Sequence, residues 1–591
     1  MVVFGINEAH NASCALAVDG EIIAAAQEER FSRIKNHFGT PYKAIEFCLN
    51  FAKIQAQDVD LIVFSGGVPT FLTSLASSGL EAPRLLPLLK AGKNIHLSLR
   101  KLILATEYQF PKLRGLDKAT IEPYYKISQK IFFPKTAKIL STKYDFDNRK
   151  FTYLDHHTAH AYSALYASGF TQLYDRILVI TCDGGGDGLS ATISVYIKGS
   201  IKRIASSTQD NSLGCFYGCI TDILGMKPLE HEYKVMGLAP YPQNLEDASV
   251  YDFLKTVISF DKKTLSWKTV VASDNLNRYL REHLPRYRFD HLASATQRLT
   301  EELLVRWVQA AIEKTGLGNV VFGGGVAQNV KANQKIAALH GVKNFFAMPS
   351  AGDESNSIGA AYWGSRHIDP KTRLKPLKNL YLGPSYSNQT VKKSISKNRL
   401  GKNYSVKYLK NPEGKIAQLL ASGQIIARHT GRMEFGARAL GNRSILADPT
   451  VPGLVNKINR QIKSRDFWMP FAPTILKEDA SRYLVNPKKL QAPFMTLAFD
   501  TEPKLRKDIT AAIHPFDYTS RPQILTKEGN PTYYQLLKNF KKLTGRGVIL
   551  NTSFNLHGEP IVCSPDDALS TLKNSGLKYL AIENYLVEKN D

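Results

Sequence analysis

The chain opens on a short apolar run, Val2-Val3-Phe4-Gly5-Ile6, that breaks at a polar turn containing His10-Asn11. It resumes as Ser13-Cys14-Ala15-Leu16-Ala17-Val18, turns at Asp19-Gly20 and continues through Ile22-Ile23. The same order returns later. Ile177-Leu178-Val179-Ile180 leads into Asp183-Gly184-Gly185-Gly186, then Ala191-Thr192-Ile193-Ser194-Val195-Tyr196, a turn at Lys198-Gly199, and Ile201. Short apolar runs bounded by Gly, Asn and Asp are too brief for helices, so each copy predicts strand, polar turn, strand, tight turn, strand. A third run, Asn319-Val320-Val321-Phe322, enters Gly323-Gly324-Gly325 and continues as Val326-Ala327-Gln328-Asn329 into a helical pattern. Glycines there let a ligand phosphate or ribose approach the backbone at a helix start, and they serve a tight strand–helix turn equally well. Pro370, Pro376 and Gly383-Pro384 interrupt the pattern, placing a linker between domains 1–370 and 371–591.

A duplicated unit of this kind resembles the way actin-like (ASKHA) ATPase folds are built, with two polar turns facing each other across a cleft. The expected class is therefore α/β. At 591 residues the chain exceeds what one core supports, and 43% hydrophobic with 22% charged residues is ordinary for a soluble globular protein. No apolar run is long enough to span a bilayer, and Met1–Asn7 lacks the basic start of a signal peptide. Six scattered cysteines without a CxxC pair point to free thiols in a reducing cytoplasm, against a disulfide framework or zinc ribbon.

The net charge of +25 is unevenly spread. Residues 81–150 hold 15 basic against 6 acidic side chains, and residues 371–591 hold 36 against 17. Anionic ligands, nucleic acid, an anionic membrane surface or solubility each account for such an excess, so charge alone selects no function. The stretch of about 68–150 reads as a basic, helical insert.

The sharpest chemistry lies in Asp155-His156-His157-Thr158-Ala159-His160. Asp155 suits an N-cap, and the i, i+4 spacing puts His156 and His160 on one helical face, where two imidazoles can hold one metal. His157 points a quarter-turn away. Asp183 ends a buried-looking strand before a glycine turn, and Asp353 follows another strand end. Two imidazoles with two carboxylates suit Fe²⁺, Mn²⁺ or Zn²⁺. His10 is a candidate general base on an acceptor hydroxyl, and Lys35 a candidate anion holder. The segment Glu230–Leu238 is a polar loop whose role its spacing does not disclose.

In the last third, Arg432, Arg438 and Arg443 stand among glycines, followed by Lys463, Arg465 and Arg521. Arginines offer planar, bidentate contacts suited to a pocket that neutralises several phosphates. Asn551-Thr552-Ser553-Phe554-Asn555 closes a strand-like run with small donors, so Asn551 and Ser553 join this set. An open nucleic-acid surface would instead interleave aromatics with lysines.

Taken in order, His10-Asn11-Ala12-Ser13, His156-x-x-x-His160, Asp183-Gly184, Gly323-Gly324-Gly325-Val326-Ala327-Gln328-Asn329, Gly352-Asp353, Gly431-Arg432-x-Glu434-Phe435-Gly436-x-Arg438-Ala439-Leu440-Gly441-x-Arg443-Ser444 and Asn551-Thr552-Ser553-Phe554-Asn555 resemble the O-carbamoyltransferases of antibiotic and nodulation-factor biosynthesis, the tobramycin, cephalosporin and NodU type. The resemblance covers nearly the whole chain. It implies an actin-like N-terminal domain similar to tRNA threonylcarbamoyl transferase and a YrdC-like α/β C-terminal domain. The latter would form carbamoyladenylate from carbamoyl phosphate and ATP with Mg²⁺, and the former would transfer the carbamoyl group at an Fe²⁺ (or other divalent) site. It implies His156, His160, Asp183 and Asp353 as metal ligands, His10 as base and Lys35 near the carbamoyl group. It also implies Arg438, Arg443, Lys463, Arg465, Arg521 and Asn551 around ATP and carbamoyl phosphate. Asn11 departs from the family, many members of which carry Asp there. The expected partner is a small-molecule hydroxyl acceptor, without nucleic acid, and a homodimer stays open. Rival readings are an actin-like kinase or ATPase and a basic nucleic-acid-binding protein. The hydrogenase-maturation carbamoyltransferase is set aside for want of paired CxxC fingers.

Overall fold

The fold is described from a computed structural model covering residues 1–8, 10–66, 102–103, 105–109, 133–134, 136–242 and 248–590. Most of the stretch 68–150, expected as a basic insert, lies outside the described residues. The chain forms two units, one of residues 1–28 and 36–377, the other of 29–35 and 378–591.

In the first unit, β1 (Val2–Asn7), β2 (Ser13–Val18), β3 (Glu21–Gln27), β4 (Leu61–Ser65) and β5 (Phe151–Leu154) form a sheet of order β3-β2-β1-β4-β5. β6 (Arg176–Gly186), β7 (Leu189–Ile197) and β8 (Ser200–Thr208) begin a second. A small hairpin, β9 (Ile258–Asp261) with β10 (Ser266–Thr269), stands apart. β11 (Asn319–Gly323) and β12 (Asn344–Ala347) then complete the second sheet as β12-β11-β6-β7-β8. In both sheets an antiparallel three-strand meander continues into two parallel strands. The repeat seen in the sequence is thus a repeat of topology, the duplicated α/β arrangement of actin-like folds.

Glycines set how closely the layers approach. A Cβ on Gly5 of β1 would stand 1.8 Å from the Ser357 carbonyl oxygen, and one on Gly359 would stand 1.9 Å from that of Ala159. Helix Asn356–Ile368 therefore lies backbone-to-backbone on both β1 and helix His156–Ala167. Buried Phe4, Ile6, Leu178 and Ile180 fill the sheets beneath.

The second unit carries β13 (Tyr404–Tyr408), β14 (Ile426–His429), β15 (Arg443–Ala447), β16 (Ala472–Leu476), β17 (Gln523–Leu525), β18 (Val548–Ser553), β19 (Tyr579–Ile582) and β20 (Tyr585–Lys589). They make one mixed sheet of order β13-β20-β19-β14-β15-β18-β16-β17. One face packs on Ile458, Leu569 and Leu572, the other on Leu420, Leu536 and Phe540. Residues 29–35 join this unit although their neighbours in sequence belong to the other. Arg30, 2% exposed, donates to the Gly436 carbonyl at 2.6 Å. Arg33 donates to the carbonyls of Pro560 and Ile561 at 2.8 and 2.7 Å. Among the described residues no helix is long and apolar enough to cross a membrane.

Candidate functional site

Asp155 caps helix His156–Ala167 by accepting the Thr158 amide at 2.8 Å, which sets where the helix starts and hence which way its histidines face. His156 and His160 turn Nε2 to the same point, 3.2 Å apart. The end of β6 brings Asp183 Oδ2 to 3.2 and 3.0 Å from these nitrogens, and Asp353 Oδ1 lies 3.5 and 3.6 Å from them. One ligand atom from each of the four residues falls within 4.8 Å of the others. Metal–ligand bonds of about 2.1 Å place neighbouring ligand atoms roughly 3–3.5 Å apart, so the donor set fits a divalent cation in spacing as well as in chemistry.

The electrostatics agree. Burial opposes charge on His156, yet the Asp353 and Asp183 carboxylates outweigh it and raise the imidazole to about 10. His160 is raised in the same sense, and the two imidazoles hold Asp183 well below the usual carboxylate range despite its burial. Without a cation, protons supply the positive charge the carboxylates require. His157 does not join them. Its Nδ1 lies 2.8 Å from Thr181 Oγ1, and burial with the neighbouring imidazoles pushes it down to about 3.

The triple glycine makes close backbone approaches. A Cβ on Gly323 would meet the His160 carbonyl oxygen at 2.7 Å, on Gly324 that of Cys182 at 2.3 Å, and on Gly325 the Asp183 Oδ1 at 2.8 Å. These glycines let the turn close on the backbone behind the histidine–aspartate cluster. Asn329 is likewise occupied: it exchanges amide hydrogen bonds with Gln297 at 3.0 Å and caps Ala332.

His10 sits in the turn after β1, its carbonyl held by Asn7 Nδ2 at 3.0 Å. Burial raises the carboxyl of Glu232, and His10 is near enough to draw it back down. The segment 230–238 thus contributes a carboxylate beside the candidate base, a relationship no local spacing signals. Asn11, in the left-handed region at φ 58°, donates to Glu354 Oε2 at 3.3 Å. An aspartate there would face a buried carboxylate.

In the second unit Lys463 is 2% exposed and ends a π-helical turn. Its Nζ donates to Asn555 Oδ1 at 2.7 Å, to Ser553 Oγ at 3.1 Å and to the Ser553 carbonyl. Burial, then Arg465 and Lys35, push its amine well down. Lys35, expected within domain 1–370, is carried into this unit by the arginine-anchored segment 29–35. Arg521 Nε is buried without a hydrogen bond, and burial together with Arg438 and Arg465 presses its guanidinium well down. Among the described residues neither Lys463 nor Arg521 has a carboxylate partner. Asn551 donates to the Ala439 carbonyl at 3.1 Å while its Oδ1 is buried and unpartnered.

Two other arginines of the expected set, Arg443 and Arg432, turn to backbone carbonyls. Arg443 is fully buried and donates to the carbonyls of Thr430 at 2.8 Å, Asn442 at 2.9 Å, and Cys563 and Pro384 at 3.4 Å. Arg432 donates to the carbonyls of Gly383 at 3.2 Å and Leu382 at 2.5 Å. Both brace the loop that Glu434 gathers by accepting the amides of Leu440, Asn442 and Arg443.

Residues 2–362 match the family profile described as carbamoyltransferase N-terminus, and residues 417–589 match carbamoyltransferase C-terminus. The chain is 33% identical to uncharacterized protein MJ1051 of Methanocaldococcus jannaschii, over 100% of both chains. It is 30% identical to nodulation protein NolNO of Sinorhizobium fredii, over 98% of this chain and 79% of that protein. It is 26% identical to 3'-hydroxymethylcephem-O-carbamoyltransferase of Amycolatopsis lactamdurans, over 48% of this chain and 52% of that protein.

Proposed function

Because the chain belongs to the carbamoyltransferase family, we propose that it activates carbamoyl phosphate with ATP and transfers the carbamoyl group to a hydroxyl of a small molecule. The observation that carries the activation step is the grouping of buried Lys463 with half-buried Arg465, Arg438 and Arg521, with no carboxylate set against Lys463 or Arg521 among the described residues. Such groups are costly unless an anion meets them, and a triphosphate with carbamoyl phosphate brings several negative charges. In this reading Arg521 and Arg438 hold phosphate oxygens in a fixed plane. Lys463 and Asn551 orient the carbamoyl end, and Lys35 adds charge from the segment 29–35.

Transfer is assigned to the first unit. His156, His160, Asp183 and Asp353 would hold a divalent metal, which supplies Lewis-acid polarisation of an oxygen when bound. His10 accepts the proton of the acceptor hydroxyl, and the Glu232 carboxylate offsets the charge the imidazole gains. The name of the Amycolatopsis relative describes transfer to an oxygen acceptor, which supports a hydroxyl here.

The test separates the half-reactions. Protein incubated with ATP, carbamoyl phosphate and a library of hydroxylated small molecules should add one carbamoyl mass to an acceptor. His156→Ala should lose that product while still consuming carbamoyl phosphate in an ATP-dependent manner. Loss of both half-reactions in a folded His156→Ala protein would show that the chemistry is not divided in this way.

A further inference from the structure

Asn356 opens the helix Asn356–Ile368, three residues beyond Asp353, and is fully buried. Its Nδ2 stands 3.4 Å from His156 Nδ1 and 3.3 Å from His160 Nε2, while its Oδ1 is buried with no hydrogen-bond partner. This orientation conflicts with the cluster it adjoins. Both histidines turn Nε2 towards Asp183. An imidazole that offers its Nε2 lone pair to a cation carries its proton on Nδ1, so His156 would point an N–H at an amide N–H. On the other side the same amide N–H competes with the cation for the His160 Nε2 lone pair. Exchanging the oxygen and nitrogen of the amide, which have nearly the same shape, removes both conflicts and gives the buried oxygen a donor. The amide NH₂ group then takes the buried position the oxygen held.

We infer that Asn356 is a positioning residue for the cluster: its side-chain oxygen accepts from Nδ1–H of His156 and holds that imidazole in the tautomer whose Nε2 faces the cation. Ligating histidines commonly rely on such a partner, and its loss weakens metal binding by about 10- to 100-fold. His160 Nδ1 is buried with no partner of its own, so orientation by hydrogen bond falls on His156. This inference rests on reading the four residues as a divalent-metal site, and its test separates the two ideas.

Chelator-stripped full-length protein is titrated with Zn²⁺ and with Mn²⁺ in competition with a chromophoric chelator. Asn356→Leu, which keeps the volume and removes the acceptor, should weaken binding by about tenfold or more. Asn356→Asp, which keeps an oxygen in both positions, should bind at least as tightly as wild type. An Asn356→Leu protein with wild-type affinity overturns the inference, as does an Asn356→Asp protein weakened as much as Asn356→Leu. Wild-type protein that takes up neither ion overturns the metal reading, and the inference with it. Independently of any variant, nitrogen chemical shifts of ¹⁵N-histidine in the Zn²⁺-loaded protein should show His156 ligated through Nε2 and protonated at Nδ1. Ligation through Nδ1 overturns the inference even if Asn356→Leu does not fold.

Discussion

Gly186 and the ring of His156 lie so close that a Cβ on the glycine would stand 2.3 Å from Cγ of the imidazole. The last residue of β6 therefore limits where a side chain of the preceding helix, His156–Ala167, can stand. Gly186→Ala must push the ring aside, and a ligand moved by a fraction of an ångström leaves its geometry. The expected result is a divalent-metal affinity lowered by about tenfold or more, although every ligand is retained. Titration of the chelator-stripped variant checks this, and wild-type affinity would show that the ring has room to give.

Metal uptake should release protons. His156 is raised to about 10 in the metal-free protein and must lose its proton to bind, so apparent affinity should climb with pH through the neutral range. Calorimetry at pH 7 in buffers of different ionisation heat should register at least one proton released per ion. A raised imidazole also stabilises the metal-free fold below its ordinary value of 6.5, and that contribution fades as pH rises towards about 10. Metal-free protein should therefore lose stability across this interval. A metal affinity independent of pH would contradict the protonated ground state.

Arg521 stands against Arg438 and Arg465 without a carboxylate among the described residues, so a polyanion should stabilise the second unit. A ligand at about 100 times its Kd adds roughly 2.7 kcal/mol. Wild-type melting should rise with inorganic pyrophosphate. Arg521→Ala should abolish that rise without lowering the melting temperature in its absence, because a like-charge contact is removed. An equal pyrophosphate response in the variant would place the anion elsewhere.

Arg443 should behave differently from Arg521. Its donors end on backbone carbonyls, so Arg443→Lys strands several buried acceptors and should lower the unfolding free energy by on the order of 3 kcal/mol. Urea denaturation measures the loss. A variant as stable as wild type that instead loses ATP-dependent turnover would return Arg443 to the pocket.

These contrasts mark where sequence pattern is sufficient. The spacing of His156 and His160 is a matter of helical period, and Asp183 stands where a short apolar run meets a glycine turn, so both are legible in a linear string. The glycines at 323–325 are not, because a ligand and a carbonyl oxygen make the same demand for a missing side chain. Residue type alone does not tell whether a guanidinium stands beside other arginines, as Arg521 does, or turns into the backbone, as Arg443 does. Nothing in the sequence singles out Asn356, whose significance appears only when the imidazole two hundred positions earlier is brought beside it. Nothing in residues 29–35 or beside them records that their partners lie in the last third of the chain.

That last arrangement bears on the order of synthesis. Arg33 closes on carbonyls 527 and 528 positions further along. At about 5–20 residues per second those partners leave the ribosome roughly half a minute to two minutes after the arginine. Within that interval β3 and the helix Tyr42–Ala52 can assemble with the rest of the first unit as it emerges, while residues 29–35 wait without their partners. The second unit can close only on a segment that was among the first to be translated, so an independently expressed C-terminal half would lack Arg30, Arg33 and Lys35 however well the rest of it folded.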